Sequence, residues 1–111
     1  MDVISMIALG EQHVGMARNA PSGRAAHTVH GGSGHVLRQV VLALAAGQKL
    51  AEYENPGEAT LLVLQGRVEL ATATARAAAA AGDFIVIPQE RHDLTAVEES
   101  AVLLTVVGRA T

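Results

Sequence analysis

The chain contains no cysteine and no tryptophan, one phenylalanine and one tyrosine, and three prolines among 111 residues. Without cysteine there is no disulfide, no thiolate metal ligand, no iron–sulfur cluster and no thiol nucleophile. With aromatics at 2 %, the chain cannot offer the several rings on which single-stranded nucleic acid stacks. Positive charge is short as well. Eight Lys and Arg stand against eleven Asp and Glu, a net charge of −3, so no cationic surplus exists to neutralise phosphates. Nucleic acid is therefore not an expected partner. No apolar run approaches the roughly 20 residues of a spanning helix, so no membrane partner is expected either. Residues 1–10 are apolar but carry Asp2 and no basic flank, the wrong sign for a secretory signal. The default expectation is a cytoplasmic protein, and the alanine richness suggests a bacterial, GC-rich coding style.

What is present is enough apolar material, 50 % of residues, for one core and one domain. The first 34 residues are uneven. An apolar stretch at 3–9 is followed by two turn clusters, Asn19-Ala-Pro-Ser-Gly23 and Gly31-Gly-Ser-Gly34, with a possible edge strand, Arg24–His30, between them. Residues 1–34 read as an arm and edge strand, and 35–111 as the body. The body is a series of short apolar runs: 36–44, 50–54, 60–64, 68–74, 84–87, 92–97 and 101–107. They are punctuated by Gly47, Asn55-Pro56-Gly57, Gly66, Gly82-Asp83 and Pro88. This spacing predicts an all-β sandwich or barrel. Residues 76–81 contain five alanines in a row, the best helix formers, but six residues are too few for an isolated helix. A connecting loop or strand extension is expected there.

Two stretches resemble the paired motifs of the cupin superfamily. Gly47 and Gly66 frame the first at the expected separation, and Thr60-Leu-Leu-Val-Leu-Gln-Gly66 resembles its closing strand and turn. Gly82-Asp-Phe-Ile-Val-Ile-Pro88 followed by His92 resembles the second. Gly66 and Gly82 fall where strands reverse and positive φ is favoured. Asp83 can bond local amides, and Pro88 cannot extend a ladder. The resemblance implies a cupin-type antiparallel barrel, a double-stranded β-helix or jelly roll of two packed sheets with one open end. It also implies a homodimer, and the edges of short Val-rich strands need cover in any case.

Cupins usually hold a divalent metal on two His and a Glu of the first motif and a His of the second. Position by position, the first His falls on Tyr53, the second on Asn55, and the Glu on Ala59 or Thr60. Only His92 remains. Ionising a tyrosine at pH 7 costs about 4 kcal/mol, and an amide oxygen is a poor ligand for metals that favour imidazole. No resident metal and no cofactor are expected. Tyr53, Asn55 and His92 are the candidate ligand-binding residues. Tyr53 has two open readings, a hydrogen-bonding group for a small ligand or a ring that plugs the barrel.

The expected function is non-catalytic binding or sensing of a small molecule in the barrel. One alternative is a metal-dependent isomerase or dioxygenase that uses His92 with Glu58 or an upstream histidine. Glu58 would need the Pro56-Gly57 turn to absorb a one-residue shift of face. Another alternative is a structural homodimer with a filled barrel. His13, His27, His30 and His35 read as solvated surface residues, with His27 and His30 on opposite faces of any regular strand. Gly31-Gly-Ser-Gly34 lacks the lysine of a phosphate loop and reads as a flexible connection. Glu98-Glu99 reads as a solvated turn.

Overall fold

The structure is a computed structural model and describes residues 1–53 and 57–108, with backbone only for 51–53. One helix and nine strands follow one another: α1 (Met6–Asn19), β1 (Arg24–His30), β2 (Leu37–Leu44), β3 (Lys49–Tyr53), β4 (Glu58–Gln65), β5 (Arg67–Ala71), β6 (Arg76–Ala80), β7 (Phe84–Ile87), β8 (His92–Ala96) and β9 (Ser100–Val107). The strands form a five-stranded sheet, β1-β2-β9-β4-β7, and a four-stranded sheet, β3-β8-β5-β6. All pairings are antiparallel. The all-β expectation holds, and Arg76–Ala80, with four of the five alanines, is an edge strand.

Alternation along each strand builds the core between the sheets. Leu44, Ala59, Leu61, Val63 and Val102 of the larger sheet meet Val68, Leu70, Ala79, Leu94 and Ala96 of the smaller one. Each of these is at most 5 % exposed. Burying a Val or Leu side chain contributes about 1.5–3 kcal/mol, and two facing rows of them hold the sheets together.

The helix lies on the outer face of the larger sheet, and the sequence reading did not anticipate it. Ser5 caps its N-terminus by accepting from the Ala8 N–H at 3.2 Å, and Pro21 follows the C-cap Ala20, which disfavours continuation. Its buried stripe is Gly10, His13, Val14 and Ala17, spaced i, i+3, i+4, i+7 as one helix face requires. Small residues allow close docking: Val14 and Ala17 pack on Ala43 and Ala101. A Cβ built at Gly10 would lie 3.3 Å from that of Ala101. The last turn is tied down by Arg18, whose Nε and Nη2 donate to Glu99 Oε2 and Oε1 at 3.0 and 2.6 Å. Glu99 is thus a partner of the helix, where a solvated turn was expected.

Candidate functional site

The register shows which side chains share the open end. Across the larger sheet, Arg38 pairs with Val106, Val106 with Ala59, and Ala59 with Ile87. The short stretch 88–91 then crosses to the smaller sheet and delivers His92 at the same end. At the other end, Leu44 pairs with Ser100 and the polar groups are internally satisfied. Ser100 Oγ accepts from the Arg67 N–H at 3.0 Å and donates to the Glu98 carbonyl at 2.7 Å. Gly66, at φ +84°, closes this end against them. A Cβ there would run into the Glu99 carbonyl oxygen and Ser100 Oγ.

The mouth holds a cavity of about 380 Å³ lined by Ala26, Thr28, Arg38, Val40, Leu42, Leu104 and Val106. Its walls are aliphatic and its polar groups few, the composition of a small-molecule site. Arg38 is the one charged residue among them, and sequence reasoning missed it. The signal was available, because Arg38, Val40, Leu42 and Leu44 form one two-residue row of β2 in which only Arg38 is polar. Gly31, at φ +127°, presses against the Arg38 stem, for a Cβ there would lie 3.0 Å from its Cγ.

His92 sits in the inward row of β8 with Leu94 and Ala96 and is 1 % exposed. Its Nδ1 lies 3.0 Å from the Glu90 carbonyl. A carbonyl only accepts, so Nδ1 carries the proton and Nε2 of the neutral ring carries the lone pair. His92 lines a second cleft, of about 280 Å³, with Ala71, Thr72, Ala73, Arg91 and Asp93. Arg38 and His92 therefore share the mouth but line different depressions. Tyr53 pairs with His92 across strands, which brings these two candidates together at the backbone. The Tyr53 side chain and all of Asn55 lie outside the described residues.

The metal expected of a cupin finds poor support in these side chains. Ala59, at the carboxylate position, turns a methyl group inward and is 3 % exposed. Glu58 pairs with Val107 in the outward row and is exposed, so the one-residue shift that could have brought it to His92 does not occur. The upstream histidines do not reach the barrel interior either. His13 and His27 meet on the outside of the larger sheet, ring centroids 5.4 Å apart, and His30 meets His35 at 5.0 Å. Among the described residues, no group of three or more His, Asp or Glu is placed to share an ion. Among the described residues, the donor set does not fit a metal held inside the barrel.

Two expectations about these histidines are corrected. His13 is 4 % exposed, not solvated. A bulge between Thr28 and His30 leaves Val29 unpaired, so His27 opposes Val41 and His30 opposes Gln39. Val41 and Gln39 are two apart, so His27 and His30 share the outer face, not opposite ones.

Two sheets enclosing an apolar core, closed at one end and open at the other, are the architecture of a small cupin domain, and solved cupin structures share it. An RmlC-like cupin protein from Desulfovibrio desulfuricans is 27 % identical, with 76 % of this chain matching 81 % of that one at a TM-score of 0.66. A conserved protein of unknown function from Streptococcus pyogenes is 28 % identical, with 83 % of this chain matching 80 % of that one at 0.73. The fold also carries catalysts. An acetylacetone dioxygenase from Acinetobacter johnsonii matches at 17 % identity and a TM-score of 0.68, over 78 % of this chain and 60 % of its own. No protein-family model and no curated protein matches the sequence.

Proposed function

We propose that the barrel mouth binds, without turning over, a small molecule with an aliphatic body and an anionic group. The observation that carries this reading is Arg38 at the lip of a cavity walled by Val40, Leu42, Leu104 and Val106. A guanidinium recognises carboxylate in a two-pronged geometry, and such charge-assisted bonds are the strong ones. The aliphatic walls supply affinity through burial. His92 stands at the same end as a further polar group, its Nε2 acting as an acceptor. The poor metal donor set among the described residues favours binding over the metal-dependent isomerase or dioxygenase reading.

The test is a thermal-shift and calorimetric screen of short-chain carboxylates against their amides and alcohols. Carboxylates should bind and their neutral analogues should not. Arg38→Ala should weaken binding at least tenfold, with partial recovery in Arg38→Lys. Equal binding of acid and amide, or binding indifferent to Arg38, overturns the reading.

Pairing of two copies is a second reading, favoured by edge strand β7. Phe84 and Val86 on its outward row are 61 % and 71 % exposed, and an uncovered apolar edge invites association. Sedimentation velocity should show a dimer that Phe84→Glu dissociates. A monomer at micromolar concentration would rule this out.

A further inference from the structure

We propose that His13 and His27 form a two-imidazole site for a divalent transition-metal ion of the kind that prefers nitrogen ligands, such as zinc, copper or nickel, and that the ion pins α1 to the edge strand β1. One ligand comes from each element. His13 lies in the docking stripe of the helix, and His27 lies in the outward row of β1, opposite Val41.

One nitrogen of the His13 ring is already engaged, which leaves the other for a ligand role. Its Nδ1 lies 2.9 Å from the Leu9 carbonyl, so Nδ1 donates and the neutral ring keeps its lone pair on Nε2. Metal-bound imidazoles show the same arrangement, one nitrogen on the ion and the other donating to a carbonyl or carboxylate that fixes ring and tautomer. His27 is exposed, which leaves a path for the ion.

The separation of the rings also suits a shared ion. Two imidazoles bound through one nitrogen each, at about 2.0–2.1 Å and a near-tetrahedral angle, place their ring centroids roughly 5 Å apart. Here the separation is 5.4 Å with the planes tilted by 53°. No third His, Asp or Glu completes the set among the described residues. Water fills the remaining positions, and the affinity is that of a two-ligand chelate, weaker than a closed structural zinc site.

The consequence is mechanical. An ion bound only when helix and strand are in place stabilises the docked state by mass action. The His30–His35 pair spans a single turn, so an ion held there fixes only that turn. It also supplies the background in which the proposal is cleanly tested.

The experiment uses untagged chain carrying His30→Ala and His35→Ala. Zinc is titrated by calorimetry, and melting is followed by circular dichroism with and without zinc. Zinc should bind and raise Tm by several degrees. Adding His27→Ala, an exposed position, should leave the metal-free Tm nearly unchanged. It should also remove one zinc equivalent and the thermal shift together. His13→Gln should do the same to the zinc response, whatever it costs the metal-free fold. Zinc binding and shift that survive His27→Ala, or no shift at millimolar zinc, overturn the proposal. The two rings would then be packing partners only.

Discussion

The two ends of the barrel are built from the same strands and carry opposite properties. At the closed end Leu44, Val63, Val68, Ala96 and Val102 are at most 2 % exposed, and the hydroxyl of Ser100 is satisfied on both sides. At the mouth the inward rows continue into Arg38 and Thr28, which line one cavity, and into His92, which lines a separate cleft. Moving along a strand by pairs of residues takes the chain from tight packing to an open cavity. Stability therefore concentrates at one end, while the other is free to vary its chemistry.

Substitutions can break or sharpen that contrast. The largest effect is expected at the closed end. Leu44 is 2 % exposed, so Leu44→Ala leaves a cavity in the core, and it should lower unfolding stability by about 2–5 kcal/mol in urea titrations. Gly66→Ala should follow at about 1–3 kcal/mol. It forces a side chain into positive φ and onto the Glu99 carbonyl oxygen, and differential scanning calorimetry should show the lower Tm. Arg38→Ala inverts the pattern, with stability changed by less than about 0.5 kcal/mol, as for exposed positions, and carboxylate binding lost. A destabilisation comparable to that of Leu44→Ala would dissolve the distinction between the ends.

The smallest effect is at the pair tying α1 to the turn before β9. The hydrogen bonds from Arg18 hold the Glu99 carboxyl below its ordinary value of 4.5, and the guanidinium charge adds to this. Because the folded value is the lower one, the pair's stabilisation is fully present above the unfolded value. It fades as pH falls through the folded one. Both partners are exposed, so the contribution is small and screened by salt. Glu99→Gln should lower Tm slightly at pH 7, and the gap to the parent should close in acid.

Much of this was legible in the residues, for identifiable reasons. Strand limits stood out because Gly47, Gly66, Gly82 and Pro88 interrupt apolar runs, and the three glycines indeed have positive φ. The inward histidine followed from the resemblance of the stretch Gly82 to Pro88, with His92, to the second cupin motif. The helix was hidden because its buried stripe is Gly10, His13, Val14 and Ala17, small or polar side chains that make a weak apolar signal. The bulge was hidden because Val29 is an ordinary strand former and nothing in composition marks an unpaired residue. That one residue decides on which side of the sheet His30 lies. Arg38 was missed because strand 36–44 was read for its overall apolar character and not row by row.

The contact between Gly31 and the Arg38 stem makes the β1–β2 turn and the cavity share one side chain. Whatever holds that turn, between His30 and His35, sets where the guanidinium can reach. A ligand that fixes Arg38 constrains the turn in return. Linkage requires the two effects to be equal. A change in anion affinity on fixing the turn would be matched, factor for factor, by a change in how firmly the anion holds the turn.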